Sequence, residues 1–160
     1  MDAFCLAAIV RELQAILPGV KISRIQQLDR WSLLLVFHGG RELGGLILSV
    51  KSGAPRVELR SPPRKPAVHS SRFGDVVASK TKEALIEGVE QVGLDRIMAI
   101  HMRGGPLSDA VMTLYVEMLG PASNMFLVDR VTGTVIDRLR AASGRTTRMV
   151  PRRMKLPNLG

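Results

Sequence analysis

The stretch AVMTLYVEMLGPASNMFLVD, residues 110–129, decides the fold of this chain. It contains two short apolar runs on either side of Gly120 and Pro121, two residues that favour a sharp turn. Apolar runs of this length between turn signals are typical of β-strands. The stretch therefore predicts two consecutive strands, with Glu117 ending the first and Asn124 opening the second. If these strands pair through the turn, both polar side chains lie at the same end of one sheet.

Further strand-like segments lie on both sides of this stretch. They are VKISRIQQLD (20–29), WSLLLVFH (31–38), ELGGLILSV (42–50), PRVELR (55–60), 86–92, 94–103 and TVIDRLR (134–140). Asp29 and Arg30 predict the turn between the first two segments, and Gly44 with Gly45 indicates a bulge or a close backbone approach. Strand-like segments are therefore predicted along nearly the whole length of the chain.

Two predicted helices divide these strands. Residues 2–17 carry apolar side chains at helical spacing, Asp2 is a predicted N-cap, and Pro18-Gly19 ends the helix. The segment FGDVVASKTKEAL, residues 73–85, is the predicted second helix and follows a loop rich in Pro and Ser. This order predicts an α+β fold, in which an N-terminal helix is followed by a two-layer β-sandwich with a second helix mid-chain.

The composition is typical of a globular chain. The 160 residues suffice for one domain with a sizeable core, and 46% of them are hydrophobic while 23% are charged. The single cysteine, Cys5, excludes an internal disulfide and a thiolate zinc site, which favours a reducing compartment. The first residues lack the basic region of a signal peptide, and no run approaches the roughly 18 apolar residues of a membrane span. We therefore expect a cytoplasmic location and no membrane partner.

The charge of the chain is strongly positive. The formal net charge is +9, from 23 basic and 14 acidic residues, and the pI is near 10.8. This excess favours nucleic acid as a partner, although a merely basic protein has the same composition. From residue 138 onward no acidic residue occurs, and the basic ones are Arg138, Arg140, Arg145, Arg148, Arg152, Arg153 and Lys155. We expect a domain over residues 1–140 and a basic tail or linker over 141–160.

No sequence pattern indicates a catalytic or metal centre. His38, His69 and His101 lack the spacing of metal ligands, and the glycine-containing turns match neither a dinucleotide-binding motif nor a Walker loop. A nucleophile elbow is also absent from the sequence. We therefore expect no enzyme activity, no catalytic residues, no cofactor, no metal and no small-molecule substrate.

Two polar pairs are candidate sites, and the residues alone leave each of them open. Asp95 and Arg96 follow Gly93, where the chain turns into a strand, and they form either a solvated pair or a charged site held by the sheet. Glu117 and Asn124 are either a rim charge and a turn cap or a binding pair. Neighbouring side chains on a strand point to opposite faces, so Asp95 and Arg96 reach one ligand only if both lie in the turn.

Several segments also match a known pattern in order along the chain. They are MDAFCLAAIVRELQAIL with KISRIQQ, GLILSVKSGAPRVEL, EQVGLDRIMAI, VEMLGPASNMFLVD and VIDRLR. Together they resemble the N-terminal domain of the NFACT family, the RqcH, FbpA and NEMF proteins of ribosome-associated quality control. The resemblance covers residues 1–140, and its most specific parts are GLDRI and EMLGPASN. It implies a fold similar to the N-terminal domain of formamidopyrimidine-type DNA glycosylases.

The resemblance implies binding of tRNA and of the large ribosomal subunit obstructed by peptidyl-tRNA, in support of C-terminal alanine tailing of stalled nascent chains. The tRNA-binding residues that it implies are Asp95, Arg96, Glu117 and Met118, with Asn124 in the same motif. Possible phosphate contacts are Lys80, Lys82, Arg138, Arg140, Arg145 and Arg148. The chain departs from the family pattern at Pro121, where a basic residue is usual, and in its middle helix, which keeps only two cations.

The chemistry of the adjacent pair fits such a role. Arg96 offers a planar, permanently charged fork for a phosphate or a guanine edge, and Asp95 can accept hydrogen bonds from base amino groups or a ribose hydroxyl. Two other functions are weighed against it. A surface adhesin that binds fibronectin lacks the support of an export signal. A DNA-glycosylase-like enzyme lacks its proline nucleophile and the acid beside it, because Asp2 and Ala3 occupy those positions.

Overall fold

The computed structural model describes residues 1–39, 44–61, 69–105 and 109–140. Within these ranges the helices are α1 (Ala3–Ile16) and α2 (Arg72–Thr81). The strands are β1 (Ile22–Asp29), β2 (Ser32–Phe37), β3 (Gly45–Ser49), β4 (Arg56–Arg60), β5 (Ala84–Gln91), β6 (Ile97–Gly104), β7 (Val111–Glu117), β8 (Asn124–Asp129) and β9 (Val135–Arg138). A short 3₁₀ turn, Gly120–Ala122, joins β7 to β8.

The strands form two antiparallel sheets in which consecutive strands are neighbours. The first sheet has the order β1-β2-β3-β4, and the second has the order β5-β6-β7-β8-β9. Short connections suffice for such meanders, because antiparallel neighbours are joined at the same end of the sheet. The predicted α+β class is confirmed, with α1 packed on β5 and α2 packed on β1. The likeness to a glycosylase domain stays a prediction.

One apolar core lies between the two sheets. Strand β2 is buried along its whole length, and its side chains alternate between the two faces of the sheet. Leu33 and Leu35 belong to the main core, together with Ile100 and Leu114 of the second sheet. The main core also contains residues of both helices, so that sheets and helices share one hydrophobic interior. A large core of this kind is the dominant favourable contribution to folding.

Helix α1 begins and packs as its sequence pattern predicts. The carboxylate of Asp2 accepts a hydrogen bond from the Cys5 amide at 2.8 Å and thereby satisfies one of the free N–H groups at the helix start. Leu6, Val10 and Leu13 are buried at helical spacing on the face that meets the sheet. Truncation of such a leucine to alanine costs about 2–5 kcal/mol in well-packed cores. Among the described helices, none is long and apolar enough to cross a membrane.

Helix α2 is shorter than its sequence pattern predicts. The prediction extends it through residue 85, whereas the structure ends it at Thr81 and begins β5 at Ala84. Glu83 has a φ of 66°, in the left-handed region that a helix does not continue through. Its amide donates to the Ile22 carbonyl at 2.8 Å. Tertiary pairing with β1 therefore overrides the local helical tendency of this segment.

Two glycine-dependent features of the fold agree with the sequence. A Cβ atom on Gly45 would lie 2.8 Å from the Leu35 carbonyl oxygen, so the predicted close backbone approach is present. The predicted strand 94–103 begins only at Ile97, because Gly93 has a φ of 59° and opens a turn. The basic tail predicted for residues 141–160 lies outside the described residues.

Candidate nucleic-acid interface

The turn between β5 and β6 is exposed and carries Asp95 and Arg96. Residues 93–96 are all exposed, and Leu94 at the tip is 92% exposed. The amide of Asp95 donates to the Val92 carbonyl at 3.2 Å, which closes the turn. Since both polar residues lie in the turn and not within β6, the alternation of a strand does not force them to opposite faces.

The backbone of this turn is held while its charged side chains are left to solvent. Gln91 Nε2 donates to the Asp95 carbonyl at 2.7 Å and to the Ala3 carbonyl at 3.1 Å, which ties the turn to the start of α1. Within the described part of the chain, neither the Asp95 carboxylate nor the Arg96 guanidinium makes a hydrogen bond or an ion pair. The backbone of the turn is therefore fixed, and its carboxylate and guanidinium are accessible to a ligand.

The end of β7 lies directly beside this turn. The Met118 amide donates to the Arg96 carbonyl at 2.8 Å. Glu117 pairs with Ile97 on one side and with Asn124 on the other, so the predicted meeting of Glu117 and Asn124 at one sheet end is confirmed. Glu117 is only 8% exposed. It is therefore a mostly covered carboxylate and not the solvated rim charge of the alternative interpretation.

Met118 and Asn124 have structural roles at this sheet end. The Met118 side chain is 1% exposed and packs in the main core. It is therefore not accessible to a ligand and stabilises the end of the strand. Asn124 Oδ1 accepts from the amides of Met125 and Arg140, each at 2.9 Å, and Nδ2 donates to the Arg140 carbonyl at 3.4 Å. The Asn124 amide group thus fixes the chain that leaves β9.

Arg140 brings the first sheet into this region. Its guanidinium carbon lies 4.1 Å from the centre of the Trp31 ring, in the turn between β1 and β2. The sequence did not single out Trp31, and its only signal was its place beside Arg30 in a predicted turn. We call Asp95, Arg96, Glu117, Asn124 and Arg140 the strand-end site, because all five lie at the same end of the second sheet.

The remaining predicted cations do not gather at this end. Lys80 lines a cavity of about 280 Å³ together with Met112 and Asp129, which are cross-strand partners at the opposite end of the second sheet. Lys82 is exposed beyond the end of α2, close to Lys80. Arg138 is half-buried in β9 near the strand-end site. The last two predicted contacts, at positions 145 and 148, lie outside the described residues.

A second group of charges lies on the outer face of the same sheet and toward its opposite end. Arg130 donates to the Glu87 carboxylate and, at 3.0 Å, to the Met102 carbonyl. Arg103 Nε lies 3.9 Å from the same carboxylate. His101 Nδ1 lies 2.7 Å from Thr113 Oγ1, and Nε2 lies 3.0 Å from Glu90 Oε1. We call Glu87, Glu90, His101, Arg103 and Arg130 the paired-charge cluster.

Burial shifts two pKa values on this outer face. It lowers the pKa of His101, because desolvation disfavours the imidazolium form, and the hydrogen bond to Glu90 only partly opposes this. Burial also raises the pKa of Tyr115, whose ring stacks on Phe126 with centroids 5.1 Å apart. Neutral His101 and neutral Tyr115 suit a packed sheet face, so these shifts indicate a structural role.

The chain is similar to one described protein family over nearly its whole length. The family described as NFACT N-terminal and middle domains matches residues 2–153. A protein named Rqc2 homolog RqcH from Streptococcus pneumoniae serotype 2 is 30% identical over 141 residues, which are 87% of this chain and 26% of that protein. A protein of the same name from Bacillus subtilis is 27% identical over 144 residues, which are 89% of this chain and 25% of that protein. The chain thus spans about a quarter of the length of these curated relatives.

Solved structures with the same fold are also found. The N-terminal domain of fibronectin-binding protein PavA from Streptococcus pneumoniae is 30% identical, with a TM-score of 0.81 over 92% of this chain and 57% of that one. The N-terminal part of the fibronectin/fibrinogen-binding protein from Streptococcus suis is 27% identical, with a TM-score of 0.82 over 94% of this chain and 58% of that one.

Proposed function

We propose, from the premise that this chain belongs to the NFACT family, that it is an RNA-binding module of ribosome-associated quality control. Its proposed partners are tRNA and the large ribosomal subunit obstructed by peptidyl-tRNA. In this role it supports the C-terminal tailing of stalled nascent chains, while peptide transfer belongs to the ribosome. The role requires a cytoplasmic location and no enzyme activity, cofactor or small-molecule substrate of the chain's own.

One observation carries the proposal. The exposed Asp95–Arg96 turn is hydrogen-bonded through its backbone to the end of β7, so that it adjoins the Glu117–Asn124 pair. Residues that the sequence singles out at separate positions therefore meet at a single sheet end. A guanidinium on a fixed backbone binds a phosphate without first losing the conformational freedom of a loop. The net charge of +9 supports the same class of partner.

The proposal is tested by binding of tRNA as a function of salt. If Arg96 contacts a phosphate, Arg96→Ala weakens binding and lowers the slope of log K against log salt by roughly 0.7–0.9. If Arg96 reads a base edge, discrimination among tRNAs falls by about 1–3 kcal/mol with little change in slope. Asp95→Ala removes a negative charge and alters which tRNA is preferred, with stronger non-specific attraction.

The matched control is Arg11→Ala, which removes an exposed cation from the middle of α1. Equal effects of Arg96→Ala and Arg11→Ala on affinity, slope and selectivity would contradict a specific role for the turn. A pull-down from bacterial lysate extends the test to the ribosome, with co-purification of large subunits and tRNA as the expected result. Large subunits and tRNA absent from the wild-type eluate would contradict the proposed partners.

A second candidate function is binding of fibronectin. The names of the structurally similar proteins from Streptococcus pneumoniae and Streptococcus suis favour it. A chain with a net charge of +9 also attracts acidic proteins without specific contacts, and such attraction is screened by salt. Fibronectin binding that persists at 1 M salt would favour this candidate over the RNA-binding module, and binding that is lost would reduce it to electrostatic attraction.

A further inference from the structure

A cationic cavity lies between the two sheets, beside the strand-end site. Its volume is about 480 Å³. It is lined by Arg30, Trp31, His69, Ser71, Leu139 and Arg140. These residues come from the β1–β2 turn, the segment that leads into α2, and the chain that leaves β9. We call this cavity the Trp31 pocket.

Two guanidinium groups of the pocket lie on one indole ring. The guanidinium carbons of Arg30 and Arg140 lie 4.9 Å and 4.1 Å from the centre of the Trp31 ring. The electron-rich face of the indole attracts each cation. Both arginines also line the cavity, so an anion bound there is attracted by two positive charges.

Neither guanidinium is neutralised by the protein in the described part of the chain. No carboxylate there lies within 4.0 Å of Arg30 or Arg140. Asp137, in the same region, forms its ion pair with Arg72 at 3.6 Å, and Asp29 uses its carboxylate on the Trp31 amide. Among the described residues, the pocket therefore contains two arginines without an ion-pair partner.

The backbone on both sides of the pocket is fixed. The Trp31 amide donates to Asp29 Oδ1 at 2.8 Å, and the Trp31 carbonyl accepts from the Val50 amide at 3.0 Å. On the other side, Asn124 Oδ1 holds the Arg140 amide at 2.9 Å. The backbone beside Arg30 and the backbone of Arg140 are therefore held before a ligand arrives.

Ser71, which lines the pocket, is the N-cap of α2. Its hydroxyl accepts from the Gly74 amide at 3.1 Å and donates to Gln27. The free N–H groups of the first helical turn give this end of α2 a partial positive charge. The first turn of α2 also contains Asp75, whose carboxylate offsets this partial charge, so the positive potential of the pocket comes from the two arginines.

We infer that the Trp31 pocket binds a phosphate group of an RNA chain, as an anchoring point separate from the Asp95–Arg96 turn. The guanidinium forks donate to the phosphate oxygens, and the indole keeps both forks in place. Asn124 bonds to Arg140 and pairs with Glu117, so the pocket continues the strand-end site toward the first sheet. The inference rests on the proposed function for the source of the phosphate, and on the pocket alone for the phosphate itself.

The test uses the fluorescence of Trp31, which is the single tryptophan of the sequence and so reports on this pocket alone. The probes are a short single-stranded oligouridylate, uridine monophosphate and inorganic tripolyphosphate, each titrated into the full chain. We expect the oligouridylate to change the emission of Trp31 and to bind about tenfold more weakly to Arg30→Gln or Arg140→Gln, as for loss of one charge-assisted hydrogen-bonding group. Arg11→Gln is the control for net charge, with less than a twofold effect expected.

The outcomes separate the pocket from the proposed function. Oligouridylate binding that leaves Trp31 emission unchanged, or that is equal in Arg140→Gln and Arg11→Gln, would overturn the inference even if tRNA binding still depends on Arg96. A response to tripolyphosphate or uridine monophosphate without one to oligouridylate would support a phosphate pocket and overturn RNA as its source. Thermal melting of each variant excludes unfolding as the cause, and Arg140→Lys, which keeps the charge without the fork, is expected to recover only part of the affinity.

Discussion

The two charged regions of the second sheet differ in how their charges are compensated. In the paired-charge cluster each side chain faces a partner: Arg130 and Arg103 face Glu87, and His101 faces Glu90. At the strand-end site, the guanidiniums of Arg96 and Arg140 have no carboxylate partner in the described part of the chain. Buried charges require partners because their desolvation is costly, whereas exposed ones do not.

This difference separates structural charges from those available to a ligand. Within the paired-charge cluster Arg130 and Glu87 are mostly buried, so removal of either leaves the other buried with less compensation and destabilises the fold. Arg96 and Arg140 at the strand-end site have no carboxylate partner in the described part of the chain. Removal of either leaves no buried carboxylate behind, so it weakens ligand binding more than it weakens folding. The comparison predicts large effects on stability in the first region, and small effects on stability with large effects on binding in the second.

The largest effect on stability is expected for Arg130→Met. The Arg130 side chain is 9% exposed and bonded to Glu87, which is 17% exposed, so its loss leaves a mostly buried carboxylate with only the more distant Arg103. We expect a loss of about 3 kcal/mol in the free energy of unfolding, measured with urea. The double variant Glu87→Leu, Arg130→Met removes both charges and is expected to recover much of this loss. If the free energy of unfolding of Arg130→Met lies within about 0.5 kcal/mol of wild type, the contrast between the two charged regions is wrong.

The next effect is a dependence of stability on pH that comes from His101. Because burial lowers its folded-state pKa below that of the unfolded chain, the unfolded state binds more protons as the pH falls below about 6.5. Stability is therefore present above this pH and is lost as the pH falls toward the folded-state pKa, by at most about 1.4 kcal/mol per pH unit. Urea unfolding between pH 7.5 and 5.5 measures the slope, and His101→Gln is expected to reduce it. Equal slopes in both proteins would show that the pKa of His101 is the same in the folded and the unfolded chain.

An intermediate effect is expected at Asn124, where the two kinds of region meet. Asn124→Ala removes the hydrogen bonds to the Arg140 backbone and costs about 1–2 kcal/mol, or roughly 1 kcal/mol for each bond lost. It also frees Arg140 from Trp31, so the emission of this tryptophan is expected to change without any ligand. Asn124→Asp keeps the acceptor for the Arg140 amide and serves as the control. If Asn124→Ala alters stability but not Trp31 emission, the hydrogen bonds from Asn124 to the Arg140 backbone do not position the Arg140 guanidinium.

Much of the fold was predictable from local patterns in the sequence. The apolar runs and the turn residues gave the strands of both sheets, because side-chain alternation and short antiparallel connections are local properties. The end of α2 was not predictable, since the helical pattern continues through residue 85 and a hydrogen bond from Glu83 to β1 stops it. Pairing between distant segments decides such boundaries.

The candidate site was predictable only in part, for the same reason. Gly93 indicated that Asp95 and Arg96 lie in a turn, and the turn after β7 brought Glu117 to Asn124. The burial of Met118 follows from the three-dimensional position of the main core. The contact of Arg140 with Trp31 joins the chain after β9 to the turn between β1 and β2. These segments are far apart in the sequence, so no local pattern predicts the contact.

The smallest effect on stability is expected for the residues that the proposed function needs most. Asp95→Ala and Arg96→Ala remove exposed side chains without partners in the described part of the chain, so each is expected to shift the free energy of unfolding by less than about 0.5 kcal/mol. The contrasting variant is Gly93→Ala, which forces a side chain into the left-handed region at a φ of 59° and is expected to cost about 1 kcal/mol. Thermal melting measured beside tRNA binding separates the two kinds of change.

Thermal melting and tRNA binding, measured on the same variants, distinguish a contact with the ligand from support of the turn. Loss of tRNA binding in Arg96→Ala with unchanged melting means that the guanidinium acts on the ligand, because the fold does not register its absence. Loss of binding in Gly93→Ala with lowered stability means that the turn must hold its conformation for the same contact to form. A loss of more than 1 kcal/mol in Arg96→Ala would instead make this arginine part of a structural ion pair, and the contrast between the strand-end site and the paired-charge cluster would fail at its central residue.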